Sequence, residues 1–186
     1  MTISQPGSYR FSGNLTVPDA NTNGIVITAN HVTIDFNGFS ILGPTVCNGS
    51  PTVTGCSPSG SGNGVSSPAS NYITLMKGGI HGMGYEAVLL PGSGQHVERM
   101  LIDSNGSTGI DVGAGSTVIN NIANFNNGIG INVVGSTFTG NSTVGNRIVG
   151  IGATCPSTII GNTAVNNGGN IDTGLAGCVV LNNAAP

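Results

Sequence analysis

Three consecutive stretches decide the fold: GIDVGAGSTVINN from Gly109, GINVVGSTFTGN from Gly130 and GIGATCPSTIIGN from Gly150. They begin 21 and 20 residues apart, and each combines short β-branched runs with Gly, Asn and Ser. Apolar runs bounded by Gly and Asn predict strands and tight turns, not helices. A repeat of this length without the leucine set of a leucine-rich repeat predicts a parallel β-solenoid, whose coils stack on one another.

Two lines of apolar residues extend this register through the chain. Their members are 20–24 residues apart, except for one step of about 40 residues that holds an insertion. The first line is Ile25, Val65, Val88, Ile110, Ile131, Ile151 and Ile171, and the second is Val32, Ile73, Val97, Val118, Phe138, Ile159 and Val179. The pattern predicts an all-β, single-domain parallel β-helix of about seven coils that covers residues 1–186.

Three segments depart from the regular repeat. We expect residues 1–23 to form an N-terminal capping coil, 44–63 to be an inserted loop, and 182–186 to be a C-terminal tail. Open strands at the ends of a solenoid are sites of association, so self-association through the rod ends or faces is a further expectation.

Asparagine recurs three residues after the second apolar line. The positions are Asn121, Asn141, Asn162 and Asn182, and Asp35 is assigned to the same position in the first coil. Stacked amides hydrogen-bond along a solenoid and to its bends. This line predicts a structural asparagine ladder, not a ligand site.

Four cysteines allow three disulfide pairings. We favour Cys47–Cys56, which would close the inserted loop, and Cys155–Cys178, which would tie the last two coils together. The absence of CxxC motifs, and of histidines at ligand spacing, argues against zinc and predicts no metal site. Two disulfides imply an oxidising compartment: secreted, periplasmic or at the cell surface. The opening residues lack the features of a signal peptide, so export requires a leader outside this sequence.

Composition excludes two classes of partner. Charged residues make up only 6% of the chain, its net charge is -3, and it contains no lysine-rich block, so a nucleic-acid surface is not expected. No apolar run approaches the 18 or more residues that a membrane span needs.

Four segments carry a resemblance to a known family: QPGSYRFSGNLTV at 5–17, HVTIDFNGFSILGP at 31–44, GGIHGMG at 78–84 and GCVVLNN at 177–183. With them, the chain resembles the right-handed parallel β-helix proteins of the pectin-lyase-like superfamily, and more narrowly small secreted bacterial members. The superfamily includes polysaccharide lyases, polygalacturonases, epimerases and non-catalytic surface proteins. The resemblance implies a right-handed helix and an exported, carbohydrate-associated protein.

The acids do not form a recognisable catalytic cluster, so the catalytic residues are unknown. Asp111 and Asp172 share an outward position but lie three coils apart, about 14 Å at the strand spacing. No acid cluster matches the calcium sites of the lyases, so no cofactor is expected, and Ca²⁺ would be needed only by a lyase. His81 in GGIHGMG resembles the Gly-His-Gly of polygalacturonases, although Ile80 replaces one Gly and the partner aspartates are missing.

One charged patch is the best candidate for contact with an acidic sugar. Asp35, Lys77, Glu98 and Arg99 fall at similar repeat positions in three successive coils, and they include two of the four cations of the chain. An exposed ion-pair cluster is the alternative interpretation.

We therefore predict an exported, non-catalytic structural or polysaccharide-binding module. The alternative is a carbohydrate-active enzyme, a lyase or glycoside hydrolase, acting on an acidic polysaccharide.

Overall fold

The computed structural model describes residues 1–174 and 176–186, and these residues wind into a parallel β-solenoid without a helix. One side of the solenoid is an eight-stranded sheet, the first sheet. Its strands, in spatial order, are β1 (Thr2–Ile3), β4 (Ile25–Ile27), β9 (Val65–Ser66), β11 (Val88–Leu90), β13 (Ile110–Val112), β16 (Ile131–Val134), β19 (Ile151–Thr154) and β22 (Ile171–Asp172). The predicted all-β parallel β-helix is confirmed.

The second sheet has two branches that share two long strands, β10 (Thr74–His81) and β12 (His96–Asp103). The long branch adds β2 (Gly7–Arg10), β5 (Val32–Asp35), β14 (Thr117–Ile119), β17 (Thr137–Thr139), β20 (Thr158–Ile160) and β23 (Val179–Leu181). The short branch adds β3 (Leu15–Thr16), β6 (Ser40–Leu42), β15 (Ile122–Asn124), β18 (Ser142–Val144) and β21 (Thr163–Val165). Together with the first sheet, these branches give the solenoid three faces.

The coil count differs slightly from the prediction. The first sheet and the long branch each stack eight strands, where the sequence predicted about seven coils. The difference arises at the N-terminus, because β1 pairs with β4 and β2 pairs with β5 in regular parallel register. The segment assigned to a capping coil thus contributes ordinary strands to both sheets.

The core is a column of inward-facing aliphatic side chains. The first apolar line pairs strand by strand as predicted, from Ile25 opposite Val65 to Ile151 opposite Ile171. The second line needs correction at both ends: its aligned members are Ile34, Leu75, Val97, Val118, Phe138, Ile159 and Val180. Val32 and Ile73 are also fully buried, two residues earlier on their chains, so the period-2 pattern alone allowed either choice.

The chain bends sharply between the long and short branches. Residues at this bend adopt the left-handed backbone conformation: Lys77, Arg99, Asn120, Gly140, Gly161 and Asn182, with φ between 52° and 66°. Asn and Gly tolerate this region well, whereas Lys and Arg adopt it less often.

Asparagine side chains form a continuous ladder just after this bend. The backbone N–H and Nδ2 of Asn121 donate to Asn141 Oδ1, and Asn141 donates in the same way to Asn162. Asn162 donates to Asn183, not to the predicted Asn182. The reason is the register, because Ile159 pairs with Val180 and so places Asn183 one coil beyond Asn162.

Asp35 does not belong to this ladder. It pairs with Met76 on the outward side of β5 and β10. Two further ladders line other bends: an asparagine ladder of Asn105, Asn126, Asn146 and Asn167, and a serine ladder of Ser116, Ser136 and Ser157. These ladders satisfy backbone N–H groups at bends that carry no strand pairing.

Both favoured cysteine pairs form disulfides in the structure. Cys47–Cys56 joins an antiparallel hairpin of β7 (Val46–Asn48) and β8 (Gly55–Ser57) inside the 44–63 segment. Cys155–Cys178 links the last two coils. The final strand β23 exposes about half of each of its three apolar side chains.

Candidate functional site

A groove of about 470 Å³ lies on the outward face of the first sheet. Its floor is made by Val26, Ser66 and Leu89, which are in register on β4, β9 and β11. Asn63, Ser67, Pro68 and Pro91 complete the lining. The outward side chains here are short or aliphatic, and the two prolines follow β9 and β11, so the surface is concave and mostly apolar.

Glu86 lies beside this groove, in the bend that precedes β11. Its backbone N–H donates to the Oδ1 of Asn63, which lines the groove. The residue is 92% buried (8% exposed), and its Oε2 has no hydrogen-bond partner. A buried carboxylate without a partner is costly, so the acid is favoured in its protonated form.

The electrostatics of Glu86 follow from this burial. Desolvation, with a further contribution from the negative charge of Asp111, raises the pKa of Glu86 from 4.5 to about 7. Burial also raises the pKa of Asp111, and a hydrogen bond from Asn132 Nδ2 at 3.0 Å opposes that rise. Asp111 follows the groove residue Leu89 on the next strand. Two acids with raised pKa values, Glu86 and Asp111, therefore lie beside the groove.

Sequence reasoning did not single out Glu86. It considered Asp111 with Asp172, and the register indeed separates these two by Asn132 and Gly152. The sequence does contain a signal for Glu86. It lies two residues before the first apolar line, at the repeat position that Asn23 and Asn63 occupy in the two preceding coils. An acid that replaces amides in a buried line is a candidate for a perturbed pKa.

The two acids of the predicted charged patch are paired with other residues. Asp35 and Glu98 lie on one outward line with Met76 between them. Asp35 forms an ion pair with Arg10 at 3.8 Å, and Glu98 lies 3.7 Å from His96. The acids are thus separated by two strand spacings, about 10 Å.

The two cations of the patch lie together at the bend between the branches. Lys77 and Arg99 occupy equivalent positions on β10 and β12, and both are exposed. Neither forms an ion pair within the described part of the chain. The four predicted residues therefore split into two acids that contact other side chains and an exposed pair of cations, the Lys77–Arg99 pair.

Metal ligands do not cluster anywhere in residues 1–174 and 176–186, where no three His, Cys, Asp or Glu side chains could hold one ion. The same residues contain no helix that is long and apolar enough to cross a membrane.

The fold of this chain is found in known proteins. No protein-family model and no curated protein matches the sequence. Among solved structures, the chain is similar to pectate lyase Pel9A, with 20% identity and a TM-score of 0.54 over 90% of this chain. It is also similar to the A-module of the Azotobacter vinelandii mannuronan C-5 epimerase AlgE6, with 17% identity and a TM-score of 0.64 over the whole chain. The alignments cover 46% and 56% of those two chains, so this chain spans about half their length. The chain therefore shares the parallel β-helix fold of these two structures.

Proposed function

We propose that this protein is an exported module that binds a polysaccharide in the groove of the first sheet, and that its role at this groove is non-catalytic. The observation that carries the proposal is the groove itself, about 470 Å³ in volume and open along the rod. That volume lies in the range of small-molecule sites. The shared fold with a pectate lyase and a mannuronan epimerase supports a carbohydrate ligand by analogy.

The lining suits a sugar chain. Val26, Leu89 and the prolines offer apolar surface to the C–H faces of sugar rings, while Ser66 and Asn63 offer hydrogen-bonding groups to hydroxyls. No aromatic side chain lines the groove, so we expect modest affinity. The two disulfides support export, because such bonds persist in oxidising compartments.

A retention experiment tests the proposal. The purified protein is passed over immobilised pectate, alginate, hyaluronan and neutral glycans, alongside Leu89→Arg and Val134→Arg. Leu89 forms part of the groove floor, whereas Val134 is exposed on β16 of the same sheet and lies outside the groove. We expect Leu89→Arg to weaken retention at least fivefold and Val134→Arg to leave it unchanged. Equal retention of both variants would show that the groove is not the binding site.

A carbohydrate-active enzyme is the alternative, and the pairing of Glu86 with Asp111 favours it. Glycoside hydrolysis uses a pair of carboxyl groups, one of which acts as a general acid with a raised pKa, and burial raises the pKa of Glu86 to about 7. The same polymers are incubated with the protein, with and without Ca²⁺, and reducing ends and unsaturated products are followed. Turnover that is abolished in Glu86→Gln would establish the alternative; retention without turnover would support the binding module.

A further inference from the structure

Three polar residues that belong to neither site described above meet on the short branch of the second sheet. Ser40 lies on β6, His81 on β10 and Asp103 on β12, three neighbouring strands. His81 pairs in register with Asp103, and Ser40 pairs with Gly79, two residues before His81. All three side chains are outward and partly exposed.

These side chains form a continuous hydrogen-bonded chain. His81 Nδ1 contacts Asp103 Oδ1, and His81 Nε2 lies 3.4 Å from Ser40 Oγ. A carboxylate only accepts hydrogen bonds, so Nδ1 carries a proton, and in the neutral ring Nε2 is the acceptor that faces the serine hydroxyl. The hydrogen bonds therefore run as they do in a catalytic triad, in which Ser40 is the nucleophile, His81 is the base and Asp103 orients the base.

Gly79 makes this approach possible. A Cβ atom at Gly79 would lie 2.3 Å from His81 Nε2 and 2.6 Å from Ser40 Oγ, so any side chain there would separate the two groups. Gly79 is not among the glycines with positive φ. The glycine is therefore needed because its lack of a side chain lets Ser40 and His81 approach each other, and not because the backbone has an unusual conformation.

A side-chain amide adjoins Ser40. The Ser40 backbone N–H donates to Asn14 Oδ1 at 2.9 Å, so the Nδ2 group of the same exposed amide lies near the serine. Asn14 and Leu15 also line a hollow of about 250 Å³ together with Phe11. The Asn14 amide is placed to donate to an oxyanion that forms when Ser40 attacks a carbonyl carbon.

We propose that Ser40, His81 and Asp103 form a site for hydrolysis of small acyl esters. Ser40 Oγ attacks the ester carbonyl carbon while its proton passes to His81 Nε2. The C–O bond to the alcohol then breaks, and the His81 proton transfers to the leaving oxygen. Water, activated by His81, hydrolyses the acyl-serine to a carboxylic acid and restores the Ser40 hydroxyl. Asp103 is the positioning residue that holds the tautomer of His81.

A fluorophosphonate probe tests the nucleophile directly. Its phosphorus reacts with an activated serine and loses fluoride, and the adduct is located by mass spectrometry of peptides. We expect one adduct, on Ser40, that is absent in Ser40→Ala and retained in Ser142→Ala. Ser142 is the matched control because it lies on the same outward line of the short branch. No adduct under conditions that label a known serine esterase, or equal labelling of Ser142, would overturn the proposal.

Hydrolysis of p-nitrophenyl acetate tests the base and its orientation. We expect Ser40→Ala and His81→Gln to reduce the rate to that of buffer, and Asp103→Asn to reduce it at least tenfold at unchanged thermal stability. His96→Gln, which alters a histidine on the long branch, should leave the rate unchanged. The ¹⁵N NMR signals of His81 should report protonated Nδ1 in the parent and a mixed tautomer in Asp103→Asn. An unchanged rate and unchanged signals in Asp103→Asn would contradict its role.

Discussion

Replacing Asn141 with alanine removes the centre of the asparagine ladder. In the parent, Asn141 Oδ1 accepts from the N–H and Nδ2 of Asn121 at 2.9 and 3.0 Å, and its Nδ2 donates to the Val118 carbonyl at 2.8 Å. Alanine removes the acceptor of the Asn121 backbone N–H and of one Nδ2 N–H, whose other N–H keeps its bond to the Val97 carbonyl at 2.9 Å, and it removes one donor from the Val118 carbonyl. Asn121 and Asn141 are each 1% exposed. The Asn141 backbone N–H keeps its bond to Asn162 Oδ1.

The expected cost follows from those three groups. A buried polar group without a partner costs roughly 1–3 kcal/mol. Because a water molecule entering the space of the amide would satisfy part of the deficit, we expect a loss of about 3 kcal/mol in the free energy of unfolding. Asn182→Gly is the matched control, since Asn182 lies at the bend where Gly140 and Gly161 stand in neighbouring coils. It should change stability by less than about 0.5 kcal/mol.

Urea unfolding with the disulfides intact, followed by far-UV circular dichroism, provides the measurement. The chain has no tryptophan, so the β-sheet signal is the practical probe. If Asn141→Ala lost less than about 1 kcal/mol, or no more than Asn182→Gly, the ladder would not stabilise the solenoid in the way described.

Three further predictions concern the site, the surface and the core. Burial raises the pKa of Glu86 from 4.5 to about 7, so folding favours its protonated form and stability falls as pH rises from 4.5 through 7. This pKa shift corresponds to roughly 3 kcal/mol of unfolding free energy, which solvent screening reduces to about 2 kcal/mol. Thermal unfolding should therefore show that Glu86→Gln is more stable than the parent at pH 8 but not at pH 4. Parallel stability profiles of the two proteins would contradict the raised pKa of Glu86. The Lys77–Arg99 pair lies outside the groove, and we predict that it makes a second, electrostatic contact with acidic polymers. Lys77→Ala with Arg99→Ala should therefore reduce retention on acidic polysaccharides severalfold at low salt, while Arg147→Ala, a cation elsewhere on the rod, should not; a loss that does not depend on salt would argue against an electrostatic contact. Phe138→Ala should cost about 3–5 kcal/mol in urea unfolding because the ring is fully buried in the core, and a loss below 1 kcal/mol would show that the column repacks.

The repeat could be predicted from sequence because its inward residues are chemically uniform. Val88, Ile110 and Ile131 each directly follow a small residue, Ala or Gly, and this repeated pair fixes the register of the first apolar line. The second line was ambiguous where both alternating positions are apolar, as at Ile73 and Leu75. Both side chains are fully buried, and only the strand pairing decides which of them aligns with Val97.

The wrong prediction of Asn182 as a member of the asparagine ladder has the same origin. Val179 and Val180 are adjacent and equally apolar, so an apolar pattern does not choose between them. Pairing of Val180 with Ile159 moves the ladder position to Asn183 and puts Asn182 at the left-handed bend. Two valines, one leucine and two asparagines in succession do not show by themselves which valine faces inward.

The candidate sites were harder to predict because they depend on contacts between coils. Sequence spacing placed Asp35 near Glu98, but their partners, Arg10 and His96, are set by the local geometry. The raised pKa of Glu86 depends on its burial, and the burial of a residue in a bend cannot be predicted from its neighbours in sequence.

Methyl NMR can show whether a glycan binds in the groove. Val26 and Leu89 carry methyl groups in the groove, whereas the methyl groups of Val134 and Val179 are exposed elsewhere on the rod. Titration with a glycan oligosaccharide from the polymer that retains the protein should shift the signals of Val26 and Leu89 in a saturable way and leave those of Val134 and Val179 in place. Saturable shifts confined to Val134, Val179 or other residues outside the groove would contradict binding in the groove.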